Sequence, residues 1–231
     1  MKEPRKARRH LPGLAGPIRN GRLIVIALLA VAASGLAGCG SEPGAGELNG
    51  MTRNPPSEVG SSKLPQGNPK SEMAEGRLVG PAGGLTLVYF GFTHCPDVCP
   101  TTLADLRLAL EELDRDERAR THVAMVTVDP QRDSFEVLNG YLGHFYPETD
   151  FSTLRTTDRD LLTRVERRFG ASHRIGKTDQ EGNYDVSHTA QLYAVDQDGT
   201  VLVEWPFGTE PAAIASDLEL LLSRGGDGIG A

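Results

Sequence analysis

Two cysteines four residues apart stand in the run Phe90-Gly91-Phe92-Thr93-His94-Cys95-Pro96-Asp97-Val98-Cys99-Pro100-Thr101. At the start of a helix this spacing sets both sulfurs on one face. Unsatisfied N–H groups there stabilise negative charge, so both thiols are expected to ionise below the ordinary value of roughly 8.5. Pro96 and Pro100 suit a first helical turn, where a missing N–H costs little. The thiolate is both the redox-active and the metal-binding form of cysteine. A structural staple usually closes a long loop, and one this short would restrain the unfolded chain little. Redox or metal chemistry is the reading that follows.

The elements that must hold the pair are legible around it. Leu85 to Phe92 is a near-continuous apolar run, as expected of a strand buried on both faces. Thr101 to Leu113 has helical spacing, His122 to Val128 is a second buried strand, and Ser134 to Phe145 reads as a helix. Phe151 to Leu154 is a brief strand and Asp158 to Phe169 a helix. Thr189 to Val195 and Thr200 to Trp205 form a hairpin around Asp196-Gln197-Asp198-Gly199. Thr209 then caps a last helix through Leu222, with Pro211 in its first turn and Gly225 as its stop. This order predicts an α/β sandwich of thioredoxin-like type: a central mixed sheet, flanking helices, and a C-terminal β-hairpin plus helix.

Other candidates are weaker. Asp129, before Pro130, either starts a turn or stands behind the reactive groups and helps receive a metal. Asp133 is a candidate cap for the next helix, and Asp97 is expected to face solvent. His94 adjoins Cys95 but precedes the helix, where it would tune the thiol rather than bind. His122, His144 and His173 have no local constellation and default to surface or packing roles.

The N-terminus is a different kind of sequence. Residues 1–38 hold seven Lys/Arg and one acid, then the apolar run Leu23 to Ala33 and Leu36-Ala37-Gly38-Cys39. That is the layout of a secretory signal peptide, and the apolar run is shorter than the roughly 20 residues a spanning helix needs. Leu-Ala-Gly-Cys resembles the lipobox of bacterial lipoproteins. The resemblance implies lipidation of Cys39 and a chain anchored at the extracytoplasmic face of the cell membrane. Residues 39–76, poor in large apolar residues, read as a flexible tether and entry segment, with a short strand near Arg77 to Val79. Residues 77–225 are then the folded domain. The whole chain carries 24 basic and 31 acidic residues; without residues 1–38 it keeps 17 and 30, a net of −13. An acidic domain without a basic stripe is no nucleic-acid binder and suits a cationic partner or a metal ion.

Phe90 to Leu103, with Val128-Asp129-Pro130-Gln131-Arg132-Asp133 and Val186-Ser187-His188-Thr189, resembles the SCO/SenC family of exported thioredoxin-like proteins, which help build the copper centre of cytochrome c oxidase. The resemblance runs from about Leu85 to Leu222, without a clear β-hairpin before the first core strand. It implies copper held by Cys95, Cys99 and His188. The chemistry agrees: soft thiolates favour Cu(I), an added imidazole also permits Cu(II), and structural zinc ordinarily takes four protein ligands. His188 precedes a core strand where thioredoxins keep a cis-proline, and no proline lies between Gly176 and Val195.

Two functions remain open on this reading. One is a membrane-anchored copper chaperone that delivers copper to, or matures, the CuA centre of cytochrome c oxidase, its partner being subunit II or another copper-receiving protein. The other is an extracytoplasmic thiol–disulfide reductase, with Cys95 and Cys99 as the redox pair, that keeps a partner's metal-site cysteines reduced. A thiol peroxidase fits less well, because the expected sequence around the first cysteine is missing.

Overall fold

The computed structural model describes residues 46–60, 62–68 and 71–225. The predicted signal peptide 1–38 and the lipidation candidate Cys39 lie outside the described residues. No helix among the described residues is long and apolar enough to cross a membrane.

The strands are β1 (Ser57–Glu58), β2 (Lys63–Asn68), β3 (Ser71–Arg77), β4 (Leu85–Gly91), β5 (Thr121–Thr127), β6 (Phe151–Leu154), β7 (His173–Ile175), β8 (Val186–His188), β9 (Gln191–Val195) and β10 (Thr200–Pro206). The helices are α1 (Val98–Glu112), α2 (Arg115–Ala119), α3 (Phe135–Phe145), α4 (Arg159–Phe169) and α5 (Pro211–Ser223). Eight strands form one sheet in the order β1-β10-β9-β4-β5-β6-β2-β3, and β7-β8 stand apart as a two-stranded ribbon. β4, β5 and β6 are mutually parallel, while β9 runs antiparallel to β4. This is the thioredoxin-like mixed sheet expected from the sequence.

The core strand β4 is buried along its whole length because both faces are covered. On one face Phe90 packs edge-on against Phe169 of α4 and Tyr193 of β9. On the other lie Tyr89 and Gly91, beneath the buried Cys99 of α1. α1 itself packs against α5 and α3. Local chemistry sets the helix limits. Asp158 accepts the Leu161 N–H to start α4, and Gly170 ends it at φ 68°, a left-handed position that suits glycine. In the β9–β10 turn the Asp196 carboxylate accepts the N–H groups of Asp198 and Thr200.

Four expectations need correction. The segment read as a tether carries β1, β2 and most of β3, so the hairpin missing from the sequence reading is present. β2 and β3 have no β-branched residues, and their order comes from pairing: Gln66 and Gly67 sit opposite Leu154 and Thr153 at the edge of β6. Gly67 is required there, because a Cβ would collide with the Phe135 ring. Further upstream, Asn49 and Gly50 donate their N–H groups to the buried Asp217 carboxylate of α5 at 2.7 and 2.9 Å. α1 begins at Val98 rather than Thr101, leaving Cys95 and Pro96 in the loop before it. Glu210, not Thr209, is the N-cap of α5, since the Thr209 hydroxyl donates to the Pro206 carbonyl. The expected strand Thr189 to Val195 starts at Gln191, and His188 belongs to the separate β8.

Candidate metal centre

The cysteine side of the site grows out of β4. At its last residue a Cβ would lie 2.6 Å from Tyr89 Cε1 and 3.2 Å from Cys99 Sγ, so only glycine at 91 lets α1 approach. The chain then turns through Thr93, which is held by a buried carboxylate. Asp133, fully buried, accepts the Thr93 N–H, the Thr93 hydroxyl at 2.5 Å and the Thr127 hydroxyl at 2.5 Å. The capping role expected of Asp133 falls to Ser134, which accepts the Val137 N–H. Asp133 has been drawn inward because three donors from two other segments converge on it.

Asp97 occupies the N-cap of α1 without a side-chain bond to the helix and is exposed. The first turn finds another acceptor: the Cys99 N–H points at Cys95 Sγ, 3.3 Å away. Cys95 is half-buried and Cys99 is buried, and both are free thiols. Burial, the largest influence, pushes Cys99 up to about 12, against the downward pull of a backbone bond near Phe92. This overturns the expected low value for that thiol. The helix start is there, but the sulfur has been taken out of water, and desolvation outweighs it.

The histidine side comes from elsewhere in the fold. β7 and β8 pair His173 opposite His188 and Ile175 opposite Val186. His188 Nδ1 lies 3.0 Å from the Thr189 carbonyl, so Nδ1 carries the proton and Nε2 is left with its lone pair. That Nε2 faces Cys99 Sγ at 3.4 Å. The ring is set edge-on against Tyr89 and Phe92, with centroids at 6.0 and 5.7 Å. Burial lowers its pKa, so the ring is neutral and ready to donate at neutral pH; the Thr189 bond and Glu166 oppose this shift.

One sulfur from each cysteine and the imidazole nitrogen lie within 4.8 Å of one another, the one such Cys/His/Asp/Glu group of three among the described residues. Two thiolates and one imidazole suit Cu(I) and also permit Cu(II). Closing on an ion would require loss of the Cys99 thiol proton.

Asp129 is not part of this cluster. Its buried carboxylate accepts the Tyr184 hydroxyl at 2.7 Å and pairs with Arg132. The Arg132 guanidinium lies 4.1 Å from the Tyr184 ring centroid and 5.9 Å from that of Phe92. Asp129 therefore meets the loop that carries β8, and reaches His188 through Arg132 and Phe92. The same residue also starts the turn read from Asp-Pro, its carbonyl accepting the N–H groups of Arg132 and Asp133.

Sequence reasoning missed four participants. Tyr184 and the inward role of Asp133 had no local signal, since their partners are distant in the chain. His173, read as a surface or packing residue, bonds through Nδ1 to the buried Glu166 at 2.6 Å and so props β7 beside β8. Tyr89 was read only as a strand residue. The other histidines have separate settings. His94 is exposed and near Thr93, His122 bonds to Asp150 and Ser152, and His144 stacks edge-on with Phe145.

Comparison with known proteins gives the same picture. The SCO1/SenC family model matches residues 76–223. A putative copper-binding protein of Stutzerimonas stutzeri is 35% identical over 119 residues, which is 52% of this chain and 56% of that protein. The solution structure of apo Sco1 from Thermus thermophilus is 30% identical with a TM-score of 0.59, covering 77% of this chain and 96% of that one. Bradyrhizobium japonicum ScoI with copper bound is 26% identical with a TM-score of 0.57, covering 68% and 96%. The matches span 56% to 65% of the length of the first curated relatives. With the family match extending over most of the chain, this protein belongs to the SCO1/SenC family.

Proposed function

We propose that the chain is a copper carrier that assists assembly of the CuA centre of cytochrome c oxidase, anchored outside the cytoplasm through lipid on Cys39. The observation that carries this reading is the convergence of Cys95 Sγ, Cys99 Sγ and His188 Nε2 from two separate parts of the fold. Copper is the cargo. Cys95, the half-buried sulfur, is the natural point of entry and exit, because an incoming thiolate reaches it first. Ligands of a receiving protein, such as subunit II, would replace Cys95, His188 and Cys99 in steps while the ion stays coordinated. No covalent turnover is involved. Its copper-bound relative from Bradyrhizobium japonicum supports the metal.

A second reading is favoured by the asymmetry of the pair. Cys95 is accessible, while the buried Cys99 directs its N–H at the Cys95 sulfur. In a reductase the Cys95 thiolate attacks a partner disulfide, forming a mixed disulfide and releasing one partner thiolate. Cys99 then loses its proton and attacks Cys95 Sγ, closing the Cys95–Cys99 disulfide and releasing the second partner thiolate.

Replacing His188 by Ala separates the two. Copper carriage predicts at least a hundredfold loss of Cu(I) affinity against a competing chelator, and loss of the Cu(II)–thiolate charge-transfer band, with both thiols still oxidisable. Unchanged copper retention in His188→Ala would reject the three-ligand site. Reductase activity alone would be nearly indifferent to the change.

A further inference from the structure

Buried polar groups in folded proteins almost always have partners, and each exception asks for a cause. Among the described residues four buried side-chain atoms have none: Ser62 Oγ, Tyr89 Oη, Arg118 Nε and Tyr141 Oη. Arg118 bonds through its other nitrogen to two carbonyls, and Ser62 lies in the turn that leads into β2. The two phenols are different, because both stand near the cysteine pair. Tyr89 is the sharper case. It is fully buried, on the central strand, and its hydroxyl makes no hydrogen bond.

What surrounds Tyr89 is the metal cluster. The Tyr89 ring edge and Cys99 Sγ border the same point, the space a Cβ at Gly91 would fill, at 2.6 and 3.2 Å from it. The ring also stands perpendicular to the His188 imidazole. β4 is hydrogen-bonded to β5 on one side and β9 on the other, so the ring sits on a fixed backbone. Its hydroxyl is a buried donor without a partner.

A neutral thiol is a poor acceptor. A thiolate, or a thiolate bound to a metal, is a strong one. We propose that Tyr89 is a hydrogen-bond donor held in reserve for Cys99 Sγ, engaged when that sulfur binds copper. Tyr89 is thus a positioning residue that acts through Cys99, and the inference rests on the metal reading of the site. The phenol costs stability in the metal-free chain and returns it in the loaded one. Hydrogen bonds to a cysteine sulfur are a known lever on copper potential. The sulfur bears more charge over Cu(I) than over Cu(II), so the donor favours the reduced ion.

Tyr89→Phe removes only the oxygen, and two measurements should move in opposite directions. The metal-free, reduced variant should melt at the same temperature as the parent or higher, because an unpaired hydroxyl has gone. Loaded with copper, it should prefer Cu(I) over Cu(II) about tenfold less, a fall of roughly 59 mV for a one-electron couple. Its charge-transfer band should move to lower energy. Tyr141→Phe, at a half-buried site, should produce the smaller shift. An unchanged band and potential in Tyr89→Phe would overturn the proposal while leaving the copper site intact. So would a lower melting temperature of the metal-free variant, or a larger shift in Tyr141→Phe. A parent chain that takes up no copper overturns the metal reading and this proposal with it.

Discussion

The two halves of the site are built on opposite plans. The cysteine half is continuous with the core: a central strand, a turn gripped by a fully buried carboxylate, and the first turn of a helix packed between two others. The histidine half is an appendage. β8 pairs only with β7, outside the main sheet, and Ser187, Arg174 and Ile175 are exposed. It is held by a few polar ties: His173 to Glu166, the Thr189 hydroxyl with Ser172, and Tyr184 to Asp129. Under the proposed carrier role this division would let the two sulfurs keep their geometry while the imidazole sits on the less anchored part of the fold.

Burial acts on both halves with opposite sign, and the largest predicted effect follows. It raises Cys99, to about 12, and lowers His188. The metal-free site is therefore neutral at both residues near pH 7. If the proposed site holds copper, the ion must displace the Cys99 proton, so Cu(I) affinity should rise about tenfold per pH unit from that thiol alone, levelling only near its own ionisation. Below the usual imidazole range His188 also has to lose a proton, which steepens the dependence. A chelator competition series between pH 5 and 9 reads this directly. In His188→Ala the affinity should be lower throughout but the slope above pH 7 unchanged; a flattened slope there would mean that the proton released belongs to the histidine half.

The cysteine half should break by loss of fold. Asp133→Ala strands the buried Thr127 hydroxyl and removes the acceptor of the half-buried Thr93 N–H and hydroxyl. That should cost roughly 3 kcal/mol of stability, read as a lower urea midpoint, with the cysteine loop loosened alongside. Asp133→Asn, which keeps the acceptor oxygen, should recover about half. Full stability in Asp133→Ala would show that the grip on Thr93 does not set the loop.

How far the sequence reached divides along the same line. The cysteine half was readable because its signals are local: an apolar run for β4, a Cys-x-x-x-Cys step, and prolines at a helix start. Its one large error, the acidity of Cys99, came from a property no local pattern carries, since the sulfur is buried by residues from β4 and β8. Of the histidine half, only His188 is legible, as a ligand through the family resemblance and its place ahead of a strand. β7 and β8 are three residues each, too short for a periodic pattern, and they exist because they pair across a loop. β2 and β3 escaped for a related reason: Lys-Leu-Pro-Gln-Gly-Asn has little strand propensity, and the exposed edge of β6 supplies the order. Asp133 reads as a candidate helix cap because Asp before a helix usually is one, and only the tertiary donors show otherwise.

The smallest predicted effect is the most telling about the division. Tyr184→Phe keeps the ring that covers the Arg132 guanidinium and deletes only the hydroxyl bonded to Asp129. Arg132 still neutralises that carboxylate, so global stability should change little. What is lost is one bond between the loop carrying β8 and the core, worth about 1 kcal/mol, or roughly a fivefold change in an equilibrium. If the histidine half is an independently opening unit, amide exchange in β7 and β8 should quicken by about that factor while β4 and α1 exchange as before. Copper release to a chelator should accelerate by a similar factor. Exchange that quickens equally in β4 would mean that the two halves open as one body, and the histidine would then be no more detachable than the cysteines. Asp129 would in that case be a support for the whole site, and the path from its carboxylate through Arg132 and Phe92 to His188 would carry load in both directions.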